Sequence, residues 1–254
     1  EQETPISGSI EFKNVSYTYE NTGIQALKNI SFKLEKGKSL AIMGKTGSGK
    51  STLVLLLARL LQPTDGQILI DGVPYENLNL SSLRKSIGFV PQEAYLFSDS
   101  IAHNILFGAK EDKDLEDVKN YAIKAAVHDN IIGFKNRYDT ILGERGVTLS
   151  GGQKQRISIA RALIKEPEIL VFDDSLSAVD TETEEEILNN LKSEMNQKTT
   201  LIITHRLSSA KNADYIMVLD EGEVVEFGTH TELLAKENAY YSLVKKQLLE
   251  SESS

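Results

Sequence analysis

The segment Gly44-Lys45-Thr46-Gly47-Ser48-Gly49-Lys50-Ser51-Thr52 predicts the fold of this chain, because it satisfies the pattern G-x-x-x-x-G-K-[ST]. An apolar run at residues 39–43 precedes it and another apolar stretch follows it, so it lies between a predicted strand and a predicted helix. The glycines allow backbone N–H groups to turn inward around a phosphate, and the N-terminus of the helix favours an anion. We therefore expect a phosphate-binding loop in which Lys50 reaches the β- and γ-phosphates of a nucleotide and Ser51 binds Mg²⁺.

A pair of carboxylates follows a second apolar run. Residues 169–172, with the sequence Ile-Leu-Val-Phe, lead directly into Asp173 and Asp174. In α/β folds, ligands collect at the edge of the sheet where parallel strands end, so this run would deliver Asp173 to that edge. The pattern resembles a Walker B strand, in which Asp173 would hold Mg²⁺ through water.

Apolar periodicity predicts strands that alternate with helices along the chain. The predicted strands are residues 10–15, 26–34, 39–43, 68–70, 87–90, 169–172, 200–203 and 215–219. The clearest helices are residues 50–61 and 181–195, and residues 99–165 are mostly helical. This alternation predicts a mainly parallel α/β sheet with a helical lobe.

The composition narrows the possible functions. The chain has 254 residues with 28 Lys+Arg and 37 Asp+Glu, and this acidic balance argues against a broad nucleic-acid interface. Because there is no cysteine, disulfides and thiolate metal sites are excluded. No apolar run approaches the roughly 18 residues that span a bilayer, and the first residues do not form a signal peptide. The chain also lacks an initiator Met, so we expect a processed protein or a piece of a longer one.

The segment Leu149-Ser150-Gly151-Gly152-Gln153 gives the sequence its family resemblance. With the two earlier motifs, it resembles the nucleotide-binding domains of ATP-binding cassette (ABC) transporters over nearly all of residues 8–240. The LSGGQ string is the signature of that family, in which it caps the γ-phosphate bound to the opposite subunit. The resemblance implies an α/β fold: a P-loop NTPase (RecA-like) core, an N-terminal antiparallel β subdomain, and an inserted α-helical subdomain at roughly residues 93–165 that carries the signature motif.

Further residues match the family's motifs in order. Tyr19 resembles the aromatic residue that stacks on adenine, although Tyr17 is a competing candidate. Gln92 resembles the Q-loop residue that contacts Mg²⁺ and the attacking water, and His205 resembles the switch histidine that senses the γ-phosphate. The string Gly143-Glu144-Arg145-Gly146 resembles the X-loop of exporters, which contacts the membrane domain, although Glu144 and Arg145 are also compatible with an ordinary exposed ion pair.

Residues 177–180, Ser-Ala-Val-Asp, resemble the D-loop, which crosses the dimer interface in the family. The family more often has leucine where Val179 stands, and Asp180 could equally cap the helix that begins near Thr181.

Taken together, the matched motifs resemble a site for which the family implies ATP and Mg²⁺ as cofactors. The implied nucleotide-binding residues are Tyr19, Gly44, Thr46, Gly47, Ser48, Gly49, Lys50, Ser51, Thr52, Ser150, Gly151, Gly152, Gln153 and Asp180. The implied metal-binding residues are Ser51, Gln92 and Asp173, and the implied catalytic residues are Asp174, His205 and Gln92.

Position 174 departs from the family. Hydrolysing members have glutamate after the Walker B aspartate, where it positions the attacking water, and aspartate is shorter by one methylene. Because a misplacement of about 1 Å can cost about a hundredfold in rate, we expect the site containing Asp174 to bind ATP and hydrolyse it slowly. The pattern is similar to the degenerate half of heterodimeric exporters, and the alternative is a homodimer in which Asp174 suffices.

The resemblance implies an ATPase domain, residues 8–245, that powers export across a membrane by ATP-driven dimerisation with a second nucleotide-binding domain. Residues 1–7 would be the linker from an absent transmembrane domain and residues 246–254 a C-terminal tail, disordered from residue 250. The fragment, soluble by itself, would work at the cytoplasmic face of the cell membrane without nucleic acid. Two alternatives are a non-catalytic ATP-dependent dimerisation module, which Asp174 favours, and a soluble ABC ATPase that acts on ribosomes or DNA, which the acidic charge disfavours.

Overall fold

Two β-sheets form the framework of the computed structural model, which describes residues 5–143, 148–195 and 197–252. The strands are β1 (Ile10–Thr18), β2 (Gln25–Leu34), β3 (Ser39–Gly44), β4 (Asp65–Ile70), β5 (Val73–Pro74), β6 (Ile87–Val90), β7 (Ile169–Asp173), β8 (Thr199–Ile203), β9 (Tyr215–Asp220) and β10 (Glu223–Gly228). The smaller sheet is antiparallel in the order β2-β1-β4-β5, and the larger has the order β10-β9-β3-β8-β7-β6. The fold class predicted from the sequence, an α/β core with an N-terminal antiparallel sheet, is therefore confirmed.

Helices cover the larger sheet and form the region between β6 and β7. They are α1 (Lys50–Leu57), α2 (Leu80–Ser86), α3 (Ile101–Leu106), α4 (Leu115–Lys124), α5 (His128–Ile132), α6 (Gly151–Ile164), α7 (Thr181–Met195), α8 (Leu207–Ala210), α9 (His230–Lys236) and α10 (Ala239–Glu252). The bounds of α7 agree with the predicted helix at residues 181–195. Helices α3 to α6 pack around a buried cluster that includes Ile105, Val118, Ile131 and Ile157, as predicted for a helical lobe.

One predicted helix end and the predicted start of the disordered tail are wrong. Helix α1 ends at Leu57 rather than at residue 61, because Arg59 adopts a left-handed φ of 53° and the N–H groups of Leu60 and Leu61 turn back to donate to Leu55 O. At the other end of the chain, α10 continues to Glu252, so residues 250–252 are helical where a disordered tail was expected.

The larger sheet determines where the site lies. Strand β3 pairs in parallel with β8 and β9, and β7 pairs in parallel with β8. Every residue of β3, β7 and β8 is buried, as expected for strands covered on both faces. Because these strands run in the same direction, the residues that follow Gly44, Asp173 and Ile203 meet at one edge of the sheet.

Candidate nucleotide-binding site

Glycines with positive φ lie at both ends of the loop between β3 and α1. Gly44 has φ +145° and Gly49 has φ +101°. A Cβ at Gly44 would lie 2.1 Å from the carbonyl oxygen of Leu219, and a Cβ at Gly49 would lie 2.5 Å from that of Ala26. The loop therefore fits between β9 and β2 only with glycine at both positions.

The Ser48 hydroxyl in the same loop is buried and has no hydrogen-bond partner among the described residues. A buried polar atom of this kind normally has a partner, which a phosphate oxygen would supply. The Ser48 hydroxyl and the glycine-lined loop at the N-terminus of α1 thus fit a bound polyphosphate.

Lys50 is the buried cation of the site. Its ammonium donates hydrogen bonds to Gly44 O (2.9 Å) and Lys45 O (2.8 Å), which leaves a third N–H group for another acceptor. Burial lowers the pKa of Lys50, and the carboxylates of Asp174 and Asp173 oppose that shift. An anion beside Lys50 would stabilise the charged form further.

Ser51 and Asp173 form the expected metal-binding pair. The Ser51 hydroxyl donates a 2.9 Å hydrogen bond to Asp173 Oδ1. Burial raises the pKa of Asp173, whereas the hydrogen bond from Ser51 opposes the rise. A hydroxyl and a carboxylate oxygen are ligands that Mg²⁺ prefers, so the pair fits that ion.

Asp174 and His205 face each other at the ends of β7 and β8. The His205 Nε2 atom lies 4.0 Å from Asp174 Oδ2, with the histidine side chain 47% exposed and the aspartate 15%. Burial raises the pKa of Asp174, and His205 and Lys50 oppose the rise. Asp174 also adopts a φ of +47°, a left-handed conformation in which aspartate is enriched compared with most residues.

A cleft of about 780 Å³ lies beside these groups, although Gly44, Ser48 and Asp173 are not among the residues that line it. Tyr19, Thr46, Gly47, Gly49, Lys50, Ser51, Thr52, Gln92, Asp174 and His205 line it. The hydroxyl groups of Tyr19 and Thr52 lie 3.0 Å apart and share a hydrogen bond, whereas Tyr17 packs edge-on against the Tyr19 ring at 4.9 Å and does not line the cleft. This geometry favours Tyr19 over Tyr17 as the aromatic contact for a base.

The signature segment lies outside this cleft. Ser150 caps α6, where its Oγ accepts from Gln153 N–H at 3.2 Å and Gln153 Oε1 accepts from Ser150 N–H at 3.0 Å. No described heavy atom lies within 4 Å of a Cβ built at Gly151, and a Cβ at Gly152 would lie 3.1 Å from Ala178 O. The structure therefore does not bring Ser150, Gly151, Gly152 and Gln153 to the nucleotide site of the same chain.

The D-loop, residues 177–180, also lies outside the cleft. Asp180 Oδ1 accepts the N–H of Thr183 at 2.9 Å and Oδ2 accepts its hydroxyl at 2.8 Å, so Asp180 caps α7. These bonds hold the pKa of Asp180 below its ordinary value. The capping role considered from the sequence is thus present in the folded chain. The expected X-loop residues Glu144, Arg145 and Gly146 lie outside the described residues.

Sequence reasoning missed part of the cleft wall. Ile24, Ala26 and Lys28 at β2 and the Glu221-Gly222 turn between β9 and β10 also line the cleft. Positive φ values at the two turn residues give a tight hairpin turn, which local sequence can suggest. The position of that turn against Ala26 depends on the contact between two sheets, for which the sequence gives no local signal.

The two sheets, the glycine loop and the carboxylate pair define an α/β P-loop nucleotide-binding fold with a helical region that carries a separate motif. Within that class, a family profile described as "ABC transporter" matches residues 27–177, and the chain belongs to the ABC transporter family.

Curated relatives and a solved structure agree with this assignment. The chain is 48% identical to "Uncharacterized ABC transporter ATP-binding protein YfiB" of Bacillus subtilis, over 95% of this chain and 42% of that protein. It is 43% identical to an "ATP-dependent lipid A-core flippase" of Hahella chejuensis, over 98% of this chain and 42% of that protein. A solved structure of a bacterial Atm1-family ABC exporter with ATP bound superposes with a TM-score of 0.90 at 41% identity, over 95% of this chain and 42% of that one.

The chain thus spans about two fifths of the length of these relatives. Within the described ranges, no helix has the length and apolar character needed to cross a bilayer.

Proposed function

We propose that this chain is the ATP-binding and ATP-hydrolysing module of an exporter, and that it works by closing onto a second nucleotide-binding domain when ATP is bound. One observation carries the proposal: a single cleft is lined by Lys50, Ser51 and the Asp174–His205 pair, with Asp173 hydrogen-bonded to Ser51, whereas the signature segment of the same chain lies outside it. A complete site therefore requires a signature segment from another chain.

Each residue in the cleft has a role that follows from its chemistry. Lys50 and the loop N–H groups would bind the phosphates, and Ser51, Asp173 and Gln92 would hold Mg²⁺. When bound, the metal ion supplies positive charge that offsets the charge on the transferring phosphoryl group. His205, half exposed at the end of β8, would contact the γ-phosphate, and Tyr19 would stack on adenine.

The exposed signature supports the dimer. Ser150 and Gly151 are exposed at the N-terminus of α6, where backbone N–H groups and the helix dipole favour an anion. In the proposed dimer, they would cap the γ-phosphate held by the partner, and the partner's signature would cap the phosphate held by this chain. ATP would shift the equilibrium toward the closed dimer because it binds that state better. At the cytoplasmic face of the membrane, closure of the dimer would move the transmembrane domain to which this chain is attached.

Hydrolysis at this chain's own site is proposed to be slow. Asp174 is the residue closest to the role of general base, and its carboxylate reaches about one bond length less far than a glutamate would. We therefore favour a heterodimer in which this chain contributes the weak site and lends its signature to a competent one.

The test is steady-state hydrolysis of ATP by the wild-type chain and by Asp174→Glu, at high protein concentration with Mg²⁺. We expect the glutamate variant to turn over at least about tenfold faster. Asp174→Asn, which tolerates the same left-handed backbone, serves as the control for loss of the carboxylate and should be slower than the wild type. Equal rates for the wild type and Asp174→Glu would contradict the weak-site proposal and favour a homodimer.

A second candidate is a module that ATP holds in a dimer without turnover, which the shortened carboxylate at position 174 favours. Dimers that form with Mg·ATP and never release ADP, in the wild type and in Asp174→Glu alike, would support this candidate over the ATPase.

A further inference from the structure

The guanidinium of Arg206, the residue after His205, contacts two backbone carbonyls and one carboxylate. Its guanidinium donates hydrogen bonds to Ser177 O (3.2 Å) and Val179 O (2.9 Å), and it forms an ion pair with Glu184. Its backbone N–H donates to Thr204 Oγ1 at 2.9 Å. One side chain therefore joins the end of β8 to the D-loop and to α7.

The partner of Arg206 is an uncommon buried acid. Glu184 is 0% exposed, and its second carboxylate oxygen accepts hydrogen bonds from the hydroxyls of Ser208 and Ser209. A buried carboxylate is stable only when it is paired and hydrogen-bonded, so Glu184 holds the guanidinium firmly in place. The planar fork of arginine can satisfy a carboxylate and two carbonyls at once, which a lysine ammonium cannot do with the same geometry.

The segments that Arg206 joins are those that bear the Asp174–His205 pair. Ser177 forms a turn with Asp174. The N–H of Ser177 donates a hydrogen bond to Asp174 O at 3.3 Å, and the Ser177 hydroxyl donates to the same oxygen at 2.7 Å. His205 is one peptide unit from Arg206. A displacement of the D-loop carbonyls would thus be passed through the guanidinium to the histidine, and the separation between His205 and Asp174 would change with it.

We propose that Arg206 is a positioning residue for ATP hydrolysis: clamped by Glu184, it fixes the D-loop carbonyls of Ser177 and Val179 relative to His205. The inference rests on the proposed function, because it assigns Arg206 a role in the same site. It goes beyond that function in making the Arg206–Glu184 ion pair the link through which the conformation of the D-loop sets the position of the histidine.

Arg206→Lys is the main test, because it retains a cation for Glu184 and removes the fork to the two carbonyls. The chain has four histidines, so spectra of the ¹³C-labelled imidazoles are simple, and His205→Ala assigns the His205 resonance. We expect the His205 resonance to move in Arg206→Lys, with and without Mg·ATP, while the other three histidine resonances stay in place. The single-turnover rate with γ-labelled ATP should fall at least about tenfold, and the Kd for Mg·ATP should change less than about threefold.

Arg59→Lys is the matched control. Arg59 also donates from its guanidinium to backbone carbonyls, namely Tyr75 O at 3.3 Å, Leu78 O at 3.1 Å and Glu76 O at 3.4 Å, and none of these residues lines the cleft. This variant should leave the His205 resonance and the single-turnover rate unchanged.

If Arg206→Lys does not fold, the double variant Glu184→Gln/Arg206→Gln carries the test, because it removes both charges of the ion pair together with the fork. An unmoved His205 resonance or an unchanged single-turnover rate in the folded variant would overturn the inference. If the wild type itself binds Mg·ATP without turnover, the proposed hydrolysis fails, and the His205 spectrum alone then decides the role of Arg206.

Discussion

The Ser51 hydroxyl donates a hydrogen bond to the carboxylate of Asp173 across 2.9 Å, although the two residues are 122 positions apart in the chain. Ser51 lies in the first turn of helix α1 and Asp173 is the last residue of strand β7, so the contact joins the end of the phosphate-binding loop to the end of β7. Two oxygen ligands of the kind that Mg²⁺ prefers are therefore preformed in the folded chain.

We expect Ser51→Ala to raise the Kd for ATP about tenfold or more in the presence of Mg²⁺, because the ion loses a ligand, and to leave the Kd measured in EDTA nearly unchanged. Isothermal titration calorimetry under both conditions measures the difference.

Ser81→Ala is the control for this prediction, since Ser81 is an exposed residue of α2. Equal loss of affinity with and without Mg²⁺ in Ser51→Ala would show that the hydroxyl acts on the loop rather than on the metal ion.

A pair of glycine substitutions tests the geometry of the phosphate-binding loop. Gly44→Ala would place a Cβ 2.1 Å from Leu219 O, which cannot yield because β9 is bonded to β3, so we expect a loss of about 4 kcal/mol or more in the free energy of unfolding. At Gly47, with φ +81° and no described heavy atom within 4 Å of the new Cβ, alanine should cost only about 1–2 kcal/mol. Urea denaturation of both variants makes the comparison, and equal losses would contradict the close contact with β9.

The affinity for Mg·ATP distinguishes Tyr19 from its neighbour Tyr17 as the residue that stacks on the base. Because stacking on a base is worth about 1–3 kcal/mol, we expect Tyr19→Ala to weaken Mg·ATP binding about tenfold. Tyr19→Phe, which keeps the ring and loses the hydrogen bond to Thr52, should bind within about threefold of the wild type. Tyr17→Ala is the matched control, and a larger effect at Tyr17 than at Tyr19 would reverse the assignment.

Much of the fold was predictable because its signals are local. The apolar runs of β3 and β7, the glycine loop and the periodicity of α7 each occupy one continuous stretch, and each forms the predicted element. The Ser51–Asp173 contact was also predictable, because parallel strands end at one edge of the sheet.

The rest depends on contacts between distant residues. Nothing local in the sequence indicates that Arg206 reaches the carbonyls of the D-loop or that Glu184 is buried beneath it. The left-handed backbone at Asp174 is likewise a consequence of tertiary structure, where the N–H of Asp174 donates to Ile203 O at 3.1 Å. Sequence reasoning attributed the aspartate to weak catalysis alone, whereas its backbone conformation is also one that favours aspartate.

Stability at low pH should depend on Asp71, whose carboxylate accepts hydrogen bonds from the N–H groups of Ser7 (2.6 Å), Gly8 (3.1 Å) and Ser9 (2.8 Å). Burial by itself would raise the pKa of Asp71, but the hydrogen bonds from these residues outweigh burial and hold the pKa below the ordinary value of 3.8. A depressed pKa means that the stabilisation is fully present above about pH 4 and is lost as the pH falls through the folded-state value.

Asp71→Asn tests this pH dependence, because asparagine tolerates the φ of 53° at this position. We expect the variant to lose about 1.5 kcal/mol in the free energy of unfolding at pH 7 and progressively less below pH 4. Asp65→Asn is the control. The Asp65 carboxylate accepts a local hydrogen bond from Gly66 N–H at 2.8 Å, and its substitution should change the free energy of unfolding by less than about 0.5 kcal/mol. Urea denaturation at pH 7, 5 and 3 measures both variants, and a difference between wild type and Asp71→Asn that grows as the pH falls would contradict the prediction.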